Sequence, residues 1–382
     1  MTDFLTQARR LETWCKKAAL PFWAKAARDP SGGFYEQLFL DGSPDKGHTR
    51  RVRVQARTAY VYAHAAKLGW YNGAKDASDH AWHYLTQQGF QGGDSHHKGG
   101  CAHLLNSDGS LLDGTRDSYA QAFVLLAGAW RYCAFEDKAA LNTANETIDF
   151  LNKYVASNNG GWLEGLPASL PRRQNPHMHL FEAFLALHKH TGLQNYLAHA
   201  ESIFDLFKSH FFDTMTGDII EFFNQDWSRA ENNGGPVEPG HMMEWCWLLR
   251  SYEKQSGTNM SVYADKLFSR AIDTGLNTDL GLLCDTFQNG APSETLRSWP
   301  QTEYLKACIA QARAGREDME AQAAQLIERI FDTYLNADIQ GGWHDQFSDT
   351  GRVISTVMPT STFYHWFCAA AEVSDYANQT YG

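Results

Sequence analysis

Several histidines and carboxylates of this chain stand inside runs that are otherwise apolar, where an isolated charge is costly to bury. His179 lies in HMHLFEAFLAL, His241 and Glu244 in PGHMMEWCWLL, Gln301 and Glu303 in SWPQTEYLKA, and His365 in TFYHWFCAAA. Arg53 and Arg57 are four residues apart, as are Asn175 and His179, and Trp299 and Glu303; His241 and Glu244 are three apart. Each spacing puts both members on one helical face. An imidazole is a base near neutral pH, so such a set can move a proton at a carbon beside a carbonyl. For an aldose, taking the C2 proton gives an enediolate. Its return to C1 gives the ketose, and its return to the other face of C2 gives the epimer. His241 and His365, on opposite walls, could act as acid and base, and Arg57 could meet the negative charge on O1 and O2. Glu244 could orient His241 and keep it protonated. Glu303 could do likewise across the cavity, or bind hydroxyls, and Trp299 and Trp247 could stack on the sugar.

These residues are positioned by an internal repeat. Gly-rich segments begin at Gly32, Gly99, Gly160, Gly217, Gly281 and Gly341, spaced 57 to 67 residues apart, and each leads into a short polar turn. Asp-Gly and Asn-Gly dipeptides suit the positive-φ positions of tight turns. Between the turns the apolar period is helical, as in Tyr119, Phe123, Leu126 and Trp130. Arg57, Tyr119, His179, His241, Glu303 and His365 follow their glycines by 19 to 25 residues, near the start of the same helix in each unit. Six helix pairs predict an all-α (α/α)6 barrel, residues 1–382 as a single catalytic domain, with short β-hairpin loops at one mouth and the six positions ringing it. An open solenoid would need polar capping repeats, and neither end reads as one. Pro239 and Pro300 fit the first turns of inner helices.

Composition bounds the rest. Apolar residues make up 43 % of the chain and aromatics 13 %, enough for a large core. The net charge is −11, and the 33 Lys and Arg are scattered, which argues against nucleic acid. The seven cysteines stand singly, as reduced and mostly buried thiols would. The N-terminus lacks a signal-peptide stretch, and no run approaches the roughly 20 apolar residues of a membrane span. The expectation is a cytoplasmic monomer or homodimer without nucleic-acid or membrane partners. No Walker motif, GxGxxG or GxSxG occurs. HExxH is missing too, and the close pairs His96-His97 and His177/His179 lack cysteines at zinc spacing. No metal and no cofactor is expected.

Six stretches carry a resemblance: RVRVQARTAYVY (51–62), RDSYAQAF (116–123), NPHMHLFEA (175–183), EPGHMMEW (238–245), SWPQTEYLKA (298–307) and MPTSTFYHWFCA (358–369). In this order and spacing the chain resembles the N-acylglucosamine 2-epimerase superfamily, nearest its D-mannose isomerase and sulfoquinovose isomerase branch. The resemblance implies an (α/α)6 barrel and a metal-free sugar isomerase or epimerase. It implies that His365 moves the proton between C1 and C2, and that His241, backed by Glu244, assists ring opening. It places Arg57 at the sugar oxygens, with His179, Trp299, Glu303, Tyr119 and Asn175 in the substrate site. Gln301 and Trp247 complete the candidate set. Cellobiose epimerases have basic residues soon after the equivalent of His365; here the sequence is Trp366-Phe367-Cys368, which speaks against a disaccharide. The leading expectation is interconversion of D-mannose and D-fructose, with lyxose as a related aldose. The alternatives are a 2-epimerase of free or N-acetylated hexoses, and a glycoside hydrolase recruiting Glu244 and Glu303 as its paired carboxylates.

Overall fold

The computed structural model describes residues 3–92 and 99–382. The His96-His97 pair lies outside the described residues. In chain order the helices are α1 (Phe4–Trp14), α2 (Leu20–Ala26), α3 (Val52–Lys67), α4 (Ala74–Gln88), α5 (Ser118–Phe135), α6 (Lys138–Phe150) and α7 (Asn175–Thr191). They continue with α8 (Gln194–Leu206), the single turn α9 (Glu231–Gly234), α10 (Pro239–Ser256), α11 (Ser261–Gly275), α12 (Ser298–Arg313), α13 (Met319–Asp332) and α14 (Phe363–Tyr381). The architecture is the expected (α/α)6 barrel. Helices α3, α5, α7, α10, α12 and α14 form an inner ring in which each touches the next and α14 returns to α3. Each of these packs on one outer helix, with α1 covering α14.

The two rings differ in sequence because they differ in burial. Inner α12 is buried almost continuously from Pro300 to Gln311, whereas outer α13 buries one stripe, including Ala323, Leu326, Ile327 and Ile330. A helix enclosed on all sides reads as apolar throughout, and one half in water reads as amphipathic.

The hairpins that enter the inner helices join neighbour to neighbour around the mouth. Arg50–Arg51 pairs with Leu104–Leu105, Arg172–Arg173 with Phe222–Phe223, and Thr295–Arg297 with Gln346–Ser348. Gln37–Phe39 pairs with Val357–Pro359, tying the first unit to the last. Reciprocal backbone hydrogen bonds close the other two joints, between Arg116 and Leu166 and between Val237 and Phe287.

A side chain near the start of most inner helices clamps its own Gly-rich segment. Gln55 holds the backbone N–H and C=O of Phe34, and Gln121 holds those of Cys101. His177 Nε2 accepts from the Trp162 N–H, directly over Gly161, where a Cβ would lie 2.6 Å from that ring nitrogen. Gln301 does the same for Leu283. The expectation that Gln301 binds substrate is therefore corrected: it is fully buried and spent on backbone. His177 is likewise a clamp and not a partner of His179 in a metal pair. All seven cysteines are unpaired thiols, six of them buried. Among the described residues no helix is long and apolar enough to cross a membrane.

Candidate active site

Inner helices that all start at the hairpin end bring their N-termini together there. Pro176, Pro239 and Pro300 occupy first-turn positions, where a missing N–H costs nothing. The convergent N-termini favour negative charge on whatever they face. Below the mouth lies a cavity of about 340 Å³, within the range of small-molecule sites. Arg57, Tyr119, Asn175, His179, His241, Glu244, Trp299 and His365 all line it. Eight of the eleven residues expected at the site thus meet in one space. Glu303 lies directly beneath His365, Gln301 is a clamp, and Trp247 faces elsewhere.

The two histidines flank one indole. The Trp299 ring centroid is 5.2 Å from His241 and 5.7 Å from His365. Gly240 permits this, since a Cβ there would sit 2.6 Å from the edge of the Trp299 ring.

His241 does not take its carboxylate from Glu244, as the sequence led us to expect. Its Nδ1 is 3.0 Å from Glu221 Oε1 and 3.9 Å from Glu238 Oε2. Gln174 donates to Glu221 at 3.0 Å and accepts from Trp245 Nε1 at 2.8 Å, fixing that carboxylate. The physical reason is position: His241 is the third residue of its helix and reaches the hairpin carrying Glu221, while Glu244 lies one turn deeper. There it is 3.9 Å from His179 Nδ1 and within 4.8 Å of the donor atoms of Glu303 and His365. Burial works against a cation at His241, but Glu221 and then Glu238 outweigh it and lift the imidazole to about 10. The Asn175 amide is 3.1 Å from His241 Nε2 and its Oδ1 has no other partner, so an amide turned over would accept the Nε2 proton.

His365 is the opposite case. Burial, with Arg57 and Lys306 nearby, holds it well below the ordinary histidine value. Its Nδ1 is 2.7 Å from Glu303 Oε1. Burial and the Glu244 carboxylate hold Glu303 well above the ordinary carboxylate value, against the downward pull of Lys306, 2.6 Å from Oε2. Trp247 packs against that lysine, its ring 3.8 Å from Nζ, so it is no sugar platform. His179 is hydrogen-bonded to Glu182 at 3.1 Å, and Tyr364 donates to the same carboxylate at 2.6 Å.

Arg57 donates to Tyr119 Oη at 2.7 Å and to the Ser361 carbonyl at 3.3 Å, among the faces of Phe123 and Tyr364. It makes no ion pair among the described residues. The other two arginines of the cavity are neutralised: Arg51 by Glu36, Arg297 by Asp285 and Glu238. Neither member of the tandem Arg172-Arg173 lines the cavity. Arg172 stacks 3.4 Å over Trp227 and caps the carbonyls of Gly160, Trp162 and Gln225, and Arg173 pairs with Glu164.

Among the described residues three clusters have the donor atoms for a cation: His179/Glu182/Glu244, Glu221/Glu238/His241 and Glu244/Glu303/His365. Each is already engaged. The second contains an imidazolium, the third abuts the Lys306 ammonium, and the first receives the Tyr364 hydroxyl.

Sequence reasoning missed Glu221, Lys306 and Tyr364. Glu221 had a signal, as the lone charge in the apolar hairpin run IIEFF, and so did Lys306, as the lone cation in YLKACIA.

A profile of the family described as N-acylglucosamine 2-epimerase (GlcNAc 2-epimerase) matches residues 33–369. The chain is 34 % identical over 388 residues to a mannose-6-phosphate isomerase of Rhizobium meliloti (strain 1021), covering 98 % of both proteins. It is 27 % identical to a D-mannose isomerase of Thermobifida fusca, covering 88 % of this chain and 89 % of that one. The structure of cellobiose 2-epimerase from Spirochaeta thermophila superposes with a TM-score of 0.87 at 22 % identity, over 98 % of both chains.

Proposed function

Since the chain belongs to the N-acylglucosamine 2-epimerase family and is a sugar isomerase or epimerase, we propose that it interconverts D-mannose and D-fructose as free sugars, with lyxose as a second aldose, without a metal. The observation that carries the reading is the placing of two imidazoles against one indole in one cavity, in opposite surroundings: His241 beside Glu221 and Glu238, which raise it, and His365 buried near Arg57 and Lys306, which lowers it. Titratable pairs driven apart in this way divide acid from base work. His241 gives a proton to the ring oxygen and takes back the one released from the O1 hydroxyl, so that the pyranose opens to the aldehyde. His365 Nε2 then takes the C2 proton and returns it to C1, while the proton on O2 passes to O1. Arg57, with no carboxylate to satisfy it, meets the enediolate oxygens, and the helix N-termini add to that field. Trp299 supports the sugar face between the two rings. Tyr119, Asn175 and His179 offer hydrogen bonds to its hydroxyls.

The charge balance of the mouth supports a free sugar over a sugar phosphate. Arg51 and Arg297 are each matched by carboxylates, and Glu238 and Asp345 line the same cavity. A phosphate entering there would meet acidic groups and no spare guanidinium other than Arg57, which sits at the reacting carbons.

The test is to offer D-mannose, D-mannose 6-phosphate and N-acetylglucosamine, with and without EDTA, and to resolve the products. Fructose from mannose, undiminished by the chelator, is expected. Glucose as the sole product would instead establish a 2-epimerase. Turnover of the phosphate alone, or loss of activity with EDTA, would overturn the corresponding part of the proposal.

A further inference from the structure

Lys306 is completely buried inside the barrel wall, where an ammonium has no water to solvate it. It lies one turn from Glu303 on α12 and caps that carboxylate on Oε2, while His365 Nδ1 holds Oε1. The face of Trp247, from α10, closes the lysine's other side. Glu303 is therefore gripped on both oxygens, by the imidazole on the cavity side and by a cation on the far side. Neither Lys306 nor Trp247 lines the sugar cavity.

We propose that Lys306, capped by Trp247, is a positioning residue that acts through Glu303 to hold His365 in the tautomer with Nδ1 protonated and Nε2 free to serve as the base. This rests on His365 being the base of the proposed reaction. A carboxylate anion can only accept, so Glu303 requires the proton on His365 Nδ1 and leaves the Nε2 lone pair facing the sugar. Burial and the neighbouring carboxylates push Glu303 well above the ordinary carboxylate value, so its anion depends on the ammonium seated 2.6 Å from Oε2. Glu244 from α10 and Glu182 from α7 both face Glu303. Arg57 from α3, His179 from α7 and His241 from α10 face His365. Around Lys306 stand Glu303, Glu244, Glu182 and Cys368 of α14. Without the ammonium, burial and two neighbouring carboxylates drive Glu303 to its neutral acid. It then donates to Nδ1, and His365 turns an N–H instead of a lone pair toward C2.

The test is the ring-nitrogen spectrum of His365 in ¹⁵N-histidine-labelled protein without sugar, the signal assigned by its loss in His365→Asn. In the wild type, Nδ1 carries the proton. In Lys306→Met the proton moves to Nε2 at neutral pH and returns to Nδ1 as the pH is raised. Turnover of mannose in that variant falls about 10²- to 10⁴-fold at neutral pH, with little change in KM, and recovers toward alkaline pH. Trp247→Leu, which only uncovers the ammonium, shifts both readouts the same way by less, and carries the test if Lys306→Met does not fold. An unchanged tautomer and an unchanged pH profile in the folded variants would overturn the proposal. The spectrum needs no substrate, so a wild type inactive on every sugar would sink the proposed reaction while the tautomer still reads the relay.

Discussion

At the scale of single residues, the two histidines divide the work by environment and not by chemistry. His365→Ala is expected to abolish exchange of deuterium into C2 of mannose, a loss of about 10²- to 10⁴-fold, read by NMR. His241→Ala is expected to slow closed-ring mannose far more than an open-chain analogue, because only ring opening needs its proton. Glu221 sets that proton's hold. With its pKa lifted to about 10 against the ordinary 6.5, His241 stays charged across neutral pH, and turnover of closed-ring sugar falls only as the pH approaches 10. Glu221→Gln removes the largest favourable contribution, so this basic limb moves to lower pH in a profile of kcat/KM. The same shift has a stability sign. A raised folded pKa adds stability that is complete below the unfolded value of about 6.5 and is lost as pH rises through about 10. In Glu221→Gln that loss is completed at lower pH, which urea titrations at several pH values would show. Glu221 was not foreseen as His241's partner because it stands on a hairpin, outside the helix-start position that the repeat makes comparable from unit to unit.

At the scale of elements, polar residues near an inner-helix start face one of two ways, and sequence does not label which. Two residues, roughly 200° around the helix, separate those that look into the cavity from those that look back at the Gly-rich segment, as with Arg57 and Gln55, Tyr119 and Gln121, or His179 and His177. His241 and His365 look inward, while Gln55, Gln121, His177 and Gln301 clamp backbone. The repeat made the helix pairs, their number and the inward ring legible, since each unit solves the same packing problem. It could not separate Gln301 from Glu303, two residues apart in one motif, nor show that Trp247 covers a lysine. Gln301→Ala is expected to leave the KM for mannose unchanged and to cost about 3 kcal/mol, since it orphans the buried N–H and C=O of Leu283. Equilibrium unfolding in urea measures the cost, and steady-state kinetics on the folded enzyme measures KM. A raised KM at unchanged stability would return Gln301 to the substrate site.

At the scale of the whole molecule, the site exists only because the ring closes. His365 comes from the last inner helix and Arg57 from the first, and Arg57 donates to the Ser361 carbonyl just before that last helix. The strand pair Gln37–Phe39 with Val357–Pro359 joins the two ends at the mouth, and α1 packs on α13 and α14 at the outside. An open stack of repeats would let its end unit fray on its own; a closed ring ties that unit to both neighbours. Leu11, fully buried under α1, tests the difference without touching the cavity. Leu11→Ala should cost about 2–5 kcal/mol. In a closed ring the urea transitions followed by tryptophan fluorescence and by activity move together, m stays constant and kcat per folded molecule is kept. If the last helix were instead held only by its one inner neighbour, activity would vanish well before the fluorescence transition, because α14 would leave first and take His365 with it.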